Sequence, residues 1–343
     1  RFDEIFPTTE VCVIGGGPAG MQAALTAAAK GLRVVLLEAR PWLGGFYDYR
    51  TTTDEQGTPL FERGKNLARE VADNPLIRVM TRTATVGTYN NNLITAFQTG
   101  TPDDSFAERY IEIRAGSVVV ATGCIERPLL FENNERPGVM QPNCAHRLVN
   151  TYGILPGKTA VFSIGHDLGL EAALALHDQG LNIACIADLR REGQNRDLLK
   201  ALEEKNIPYH LGLVALEARG KKEVSGVLLG DPDGSSRQTQ ACDLLVASAG
   251  LTPVTGPLTI NKGTLAYDEH TGCFLPDKLP ERTHVAGRVT GLGSPDSIEA
   301  SGRLAGLRAA LDCGQKVESE LQKAEQAQSS LPGPDQGTAF VIG

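Results

Sequence analysis

The sequence predicts an α/β chain of two Rossmann-like domains with antiparallel β meanders, the second domain inserted into the first. Three observations predict it. A glycine-rich turn joins an apolar strand to an Ala- and Leu-rich helix near the start. A second strand–helix–strand run begins near Lys158. One plan (βαβ, meander, buried strand, small-residue turn) occurs in the first half and again in the middle. At 343 residues the chain can give each of two domains its own core.

The elements follow in order. Glu10 to Ile14 forms the first apolar strand, and Pro18 to Lys30 a helix that Gly31 stops. Val34-Val35-Leu36-Leu37, closed by Glu38, is a continuous apolar strand of the kind found in parallel sheets covered on both faces. From Leu76 to Arg114 the pattern shortens and alternates, with Ile77–Met80, 83–89, 93–98 and 109–113 expected as an antiparallel meander. A separate buried strand, 117–121, then leads into Thr122-Gly123. In the second unit, strands are expected at 159–164, 181–187, 207–211 and 244–247, with helices at 168–179 and 197–205 and a short meander at 213–229. The strand 283–287 and the helix 295–311 would return to complete the first domain. The division expected is 1–140 with 255–315 as a discontinuous first dinucleotide-binding domain, 141–254 as a degenerate second one, and 316–343 as a polar tail or linker.

Composition excludes several classes. Hydrophobic residues at 41% and charged residues at 22% are the balance of a globular protein. A net charge of −8 argues against general affinity for nucleic acid or anionic membranes. The apolar runs are too short for a membrane span, and with no leader pattern the cytoplasm is the expected compartment. Seven scattered cysteines include no C-x-x-C pair, which argues against a zinc ribbon, a cysteine-ligated iron–sulfur cluster and a dithiol centre. No metal site is expected. The missing initiator Met and the apolar ending Phe340–Gly343 read as a piece of a longer polypeptide.

The chemistry concentrates in the first turn, Gly15-Gly16-Gly17-Pro18-Ala19-Gly20. Gly15 permits the tight turn, Gly17 lets backbone approach a pyrophosphate, and Gly20 lets the helix pack on the strand. The helix start offers free N–H groups and a favourable dipole to phosphate. Glu38, ending the next strand ahead of Ala39 and Arg40, would accept ribose hydroxyls. Pro18, the Gly44-Gly45 pair and Ala121-Thr122-Gly123 lean toward a flavin-binding form of this turn, since a side chain at Gly123 would crowd the cofactor.

The order of GGGPAG (15–20), GG (44–45), ATG (121–123) with ERP (126–128), and AGRVTG (286–291) resembles glutathione-reductase- and thioredoxin-reductase-like flavoproteins. More specifically, 121–128 through 134–140, joined to 152–158, looks like the α subunit of heterotetrameric sarcosine oxidase. It is also similar to subunits of dye-linked proline, hydroxyproline and opine dehydrogenases and of hydrogen cyanide synthase. The likeness extends to 78–83 and 302–306 and so covers nearly the whole chain. It implies FAD at the first turn, with NAD or ATP as alternatives at the same site, and an FMN at a subunit interface. It also implies a hetero-oligomer containing an FAD-bearing subunit that oxidises amino acids, together with a small ferredoxin-like subunit or domain.

Three departures shape the expectation. The second turn reads Ser163-Ile164-Gly165-His166-Asp167-Leu168-Gly169, with Ser and Leu where the first and third fingerprint glycines belong, so a tight second dinucleotide site is not expected. Gly287 is followed by Arg288 where the larger class has Asp, and a guanidinium can pair with phosphate. The ferredoxin-like and aminomethyltransferase-like domains that commonly flank this region in the family lie outside these residues.

No residue is assigned a catalytic role. Cys144 and His146, two apart on a helix, diverge, and His146 reads as helix surface. Asp167 reads as an N-cap, Arg190 and Arg191 as a solvated loop with a 2′-phosphate contact as the alternative, and Trp42 as either packing or a cofactor shield. The expected function is a nucleotide-binding, electron-relay subunit of an amino-acid or N-methyl-amino-acid oxidase or dehydrogenase. The alternatives are a free-standing NAD(P)H-dependent FAD oxidoreductase, which needs an intact second fingerprint, and a scaffold holding a structural nucleotide.

Overall fold

The computed structural model describes residues 1–335 apart from 55, 234 and 235; the apolar ending 340–343 lies outside the described residues. The chain opens with strands β1 (Phe2–Ile5) and β2 (Thr8–Ile14), helix α1 (Pro18–Ala28) and strand β3 (Val34–Leu37). Helix α2 (Leu60–Asp73) and strand β4 (Ile77–Met80) follow, then β5 (Thr83–Tyr89), β6 (Leu93–Thr99) and the thirteen-residue β7 (Glu108–Val120). The sheet runs β4-β3-β2-β7-β6-β5. Two expectations are corrected here. Ile77–Met80 is no part of the meander; it pairs parallel to β3, as the sheet's edge. Ile77 and Val79 face the core on one side and Met80 the core on the other, and the exposed Arg78 at this edge interrupts the apolar run so that it alternates as an antiparallel strand would. The strands expected at 109–113 and 117–121 are one, β7. Its first half pairs antiparallel with β6 while its second half pairs parallel with β2.

The chain leaves the first sheet through β8 (Cys124–Glu126) and enters the second through β9 (Val139–Met140) and helix α3 (Pro142–Tyr152). Strand β10 (Thr159–Ile164), helix α4 (Asp167–Asp178), strand β11 (Asn182–Asp188), helix α5 (Arg196–Glu204) and strand β12 (Tyr209–Leu211) form the second βαβ run. The second meander has three strands, β13 (Val214–Gly220), β14 (Val224–Gly230) and β15 (Arg237–Ala241), the last unforeseen from sequence. Strand β16 (Leu244–Ser248) completes a parallel sheet ordered β12-β11-β10-β16-β9. Helices α3, α4 and α5 cover one face around Phe162, Leu170 and Leu176, and the meander covers the other around Val161, Val227 and Leu245.

The chain returns through β17 (Leu251–Pro253), which pairs antiparallel with β8, so outbound and inbound crossings form one ribbon. The short helix α6 (Gly256–Thr259) and the hairpin β18 (Leu265–Asp268) and β19 (Cys273–Pro276) precede β20 (Thr283–Val285). That strand pairs with Val118–Val120 of β7. Helix α7 (Pro295–Asp312) then lies on α1, with helix α8 (Glu318–Ser329) outside it. Small residues set the approach of α1 and α7. A methyl at Gly302 would stand 2.2 Å from Ala19 O, and one at Gly306 would stand 2.6 Å from Ala23 O. One core fills the space between this helix layer and the sheet, and a second lines the sheet's other face. No helix among the described residues is long and apolar enough to cross a membrane.

Candidate functional site

Strands β2, β3, β7 and β20 end together beneath the N-terminus of α1, and a cavity of about 820 Å³ opens there. Of the residues expected from sequence, all but Gly20 and Gly44 line it. Those two sit just behind the wall. A methyl at Gly20 would lie 1.9 Å from Gly15 O, so the helix rests directly on the turn. Gly44, at φ 128°, donates its N–H to Gly16 O (3.0 Å), and a methyl on Gly45 would lie 2.7 Å from Gly17 Cα. The two glycine pairs thus interlock at backbone distance.

Glu38 is buried and already employed. Its two carboxylate oxygens accept from Gly16 N (2.8 Å) and Arg40 N (2.7 Å), which fixes the turn and leaves each oxygen one further lone pair for a ribose hydroxyl. Arg40 in turn donates to Gly45 O (3.1 Å). Ala39 lies between them on the rim. Across the cavity, Thr122 donates its hydroxyl to Val254 O (2.6 Å), tying the Ala121-Thr122-Gly123 turn to the inbound crossing.

The residues present fit a phosphate-bearing nucleotide. No side chain caps α1, so its first free N–H groups face the cavity, and no heavy atom lies within 3.8 Å of where a Gly17 side chain would stand. Arg288 follows Gly287, whose φ of 77° and contact with Ala19 demand glycine. Its guanidinium lies 3.9 Å from the Phe46 ring centre and donates through Nη2 to Gly293 O (3.1 Å), while buried Nε and Nη1 have no partner among the described residues. A buried donor without an acceptor is costly, and two on one cation facing a cavity suit an anion.

Sequence reading missed the far end of the cavity, formed by Phe46, Tyr49, Glu126, Asn143 and Arg147. Glu126 accepts from Asn143 N (2.9 Å), and burial pushes its carboxyl up to about 7 against the opposing pull of that bond, Arg50 and Arg147. The E-R-P triplet just after the strand-end glycine was the available signal. His146 is a correction: it is buried against Tyr49 rather than on the helix surface, and burial lowers its imidazole to about 3. Trp42 does not line the cavity; its indole donates to Asp48 (2.6 Å) at the surface.

At the second crevice a smaller cavity of about 120 Å³ touches His166, Asp167, Leu168 and Gly250, and the strand-end acid is taken up by the chain's own side chains. Asp188, fully buried at the end of β11, accepts from Arg190 N (2.9 Å), Nε (3.1 Å) and Nη2 (2.8 Å) and from the Tyr209 hydroxyl (2.8 Å). Arg190 also reaches Asp167 at 2.8 Å. It is buried, contrary to the solvated loop expected, while Arg191 is exposed and pairs with Asp231. Asp167 is the first residue of α4 and His166 holds the cap position in extended geometry. The close approach of α4 to β10 falls at Gly169, where a methyl would meet Ile164 at 2.5 Å, one residue beyond the fingerprint position.

Of the cysteines, Cys12, Cys185 and Cys242 are buried, Cys124, Cys273 and Cys313 partly so, and Cys144 is exposed. Among the described residues no His, Cys, Asp and Glu group could hold a metal ion.

Residues 9–287 match the family model described as pyridine nucleotide-disulphide oxidoreductase. The alpha subunit of sarcosine oxidase from Corynebacterium sp. (strain P-1) is 29% identical over 346 residues, which covers 97% of this chain and 35% of that protein. An opine oxidase subunit from Rhizobium meliloti is 26% identical over 332 residues, 89% of this chain and 63% of that protein. The chain therefore spans only part of each of these relatives. Among solved structures, L-proline dehydrogenase from P. horikoshii has a TM-score of 0.74 at 22% identity, covering 98% of this chain and 61% of that one. Thioredoxin reductase from T. acidophilum has a TM-score of 0.69 at 20% identity, covering 89% and 97%. At such identities the likeness carries the fold.

Proposed function

The chain belongs to the pyridine nucleotide-disulphide oxidoreductase family, and from that premise we propose that it is the nucleotide-binding, electron-relay subunit of a multi-subunit, flavin-dependent amino-acid or N-methyl-amino-acid oxidase or dehydrogenase. The observation that carries this is the contrast between the two crevices. The first is an open cavity with free helix N–H groups and an arginine with two donors that have no partner among the described residues. In the second, Arg190 and Tyr209 take up both oxygens of the strand-end acid Asp188, which leaves it nothing to offer a ribose, and Arg190 pairs as well with Asp167 at the helix start. A free-standing NAD(P)H-dependent reductase needs both crevices.

In this reading Gly15, Gly17, Pro18 and Ala19 bring backbone to the pyrophosphate, Glu38 with Ala39 and Arg40 orients the ribose, and Arg288 neutralises phosphate charge. Gly20, Gly44 and Gly45 hold the turn, while Ala121, Thr122, Gly123 and Gly287 form the close-fitting floor. FAD suits the site, with NAD or ATP as alternatives. FAD, when bound, would supply the ability to accept and pass on electrons. Substrate oxidation belongs to an FAD-containing partner subunit, with FMN at a subunit interface and a small ferredoxin-like subunit or domain completing the hetero-oligomer. The subunit names of the relatives support that assembly. The division proposed is 1–140 with 255–315, 141–254, and 316–343, with the ribbon of β8 and β17 as the crossing and with β9 of the second sheet falling just before the first boundary.

The test is to purify the chain with what co-purifies, record its visible spectrum and weigh the released nucleotide. A yellow chain releasing FAD that NADH alone does not bleach supports the reading. Rapid bleaching by NADH in the isolated chain would overturn it in favour of a free-standing reductase. A colourless chain releasing NAD or ATP would leave a structural nucleotide instead.

A further inference from the structure

The cavity has two unlike ends. Glu38 and the glycine turn form one, and β8 with the first turns of α3 forms the other. At that distal end Glu126 lines the wall and is only 9% exposed. One of its oxygens accepts from Asn143 N (2.9 Å), whereas Oε1 is buried with no partner among the described residues. Gln141 donates to the Glu126 carbonyl (3.0 Å), which fixes the backbone and so the side chain's direction.

The charged groups around it are few. Arg147 of α3 lies 5.0 Å from the Tyr49 ring centre. Arg50 is paired with Glu171 of α4 and lies 4.3 Å from the Phe46 ring centre. Both favour an ionised Glu126, but neither bonds to Oε1. Three other neighbours are driven away from neutrality. Burial raises the Tyr49 hydroxyl, lifts the Cys124 thiol to about 12 and lowers His146 to about 3. Glu126 is left as the group poised near neutrality, with an acceptor oxygen that only water or a ligand can satisfy.

We propose that Glu126 couples filling of this end of the cavity to a proton: its carboxyl is ionised while water occupies the distal end, and it takes up one proton when the ring system of a full dinucleotide displaces that water. The inference rests on the reading of the cavity as a dinucleotide site. The proton comes from solvent and forms an O–H bond at Oε1, turning an unsatisfied acceptor into a donor toward the ring. Excluding water penalises the charged form, so the carboxyl's affinity for a proton rises on binding. By linkage, binding then weakens as pH rises. An adenine mononucleotide reaches only the glycine turn and the Glu38 end. It leaves the distal water in place and takes up nothing.

The experiment is titration calorimetry on the full chain, after release of its own nucleotide, with FAD, NAD and ADP in two buffers of unlike ionisation enthalpy at pH 6.5, 7.5 and 8.5. The expected result is uptake of about half a proton or more near pH 7.5 with the dinucleotide that binds, and affinity falling roughly fivefold to tenfold between pH 7 and 8.5. ADP should show no uptake, and Glu126→Gln should bind the dinucleotide with no uptake and no pH dependence. Dinucleotide binding without buffer-dependent heat would overturn the proposal, as would equal uptake with ADP or uptake that persists in E126Q. The comparison of FAD or NAD with ADP needs no variant and stands even if E126Q fails to fold. Failure of every nucleotide to bind would overturn the cavity reading itself, and this inference with it.

Discussion

A methyl group added at Gly17 meets nothing closer than Gly45 Cα at 3.8 Å, whereas one at Gly20 lands 1.9 Å from Gly15 O. Gly17 also has φ −78°, which any residue adopts. Gly17→Ala should therefore keep its melting temperature within a few degrees while retained nucleotide drops about tenfold or more, since the pyrophosphate loses its close approach to backbone. Gly20→Ala should lose both binding and about 2 kcal/mol or more of stability. Mass quantification of released nucleotide beside a melting curve separates the two. Glu126 offers a second check. Its carboxyl stands at about 7 in the fold against an ordinary value of 4.5, so between those values the folded state holds more protons than the unfolded one. Its contribution is then most favourable below pH 4.5 and is lost as pH rises to 7. Urea unfolding should show E126Q gaining on the parent by about 2 to 3 kcal/mol between pH 5 and 8. The fingerprint residues were legible because each does a local job within one turn. Glu126 and His146 were not, because their burial depends on Tyr49, Arg50 and α4, none of them local in sequence.

Helices α1 and α7 meet through Gly302 and Gly306, with α7 started by Ser294, whose hydroxyl accepts from Ser297 N (3.2 Å). Gly302→Ala has a backbone carbonyl in its way at 2.2 Å, so the helices must part. The expected cost is about 2 to 3 kcal/mol with partial loss of nucleotide, because α1 and Gly287 form the cavity floor together. Ser294→Ala should cost about 1 kcal/mol and leave binding intact. Denaturant unfolding and nucleotide retention measured on both variants check the contrast. Helices α1, α4 and α7 were legible within a residue or two, since Pro18 and Gly31 bound α1, Asp167 and Gly180 bound α4, and Ser294 with Pro295 opens α7. Helix α2 was passed over, although Leu60, Gly64, Leu67 and Val71 are spaced for one buried helical face. The misassigned β4 shows the limit of period-based reading, because an edge strand in a parallel sheet alternates much as a meander strand does.

The two sheets are joined by the β8–β17 ribbon and by the ion pair of Arg50 with Glu171, in which Arg50 is nearly fully buried and Glu171 partly open to solvent. Removing the exposed partner strands the buried one, so Glu171→Ala should destabilise more than Arg50→Met, by about 3 kcal/mol against 1 to 2. Equal losses in urea unfolding would show that the pair is not what holds the sheets together. The duplicated plan was readable from sequence because each βαβ unit carries its own punctuation. The altered second crevice was half readable: the eroded glycines were visible, but the Arg190 bridge needs Asp167 and Asp188 brought together by the fold.

Strand β20 also bears on how the molecule is made. Emerging from a ribosome, β7 has β2 and β6 for neighbours at once, but its Val118–Val120 edge waits for Thr283–Val285. At ~5–20 residues per second that wait is on the order of 10–30 s, long enough for the whole second sheet to appear and close in the meantime. The inserted unit would then finish before the one that encloses it. The hydrophobic edge left open over that interval is where a nascent chain of this kind would need a chaperone.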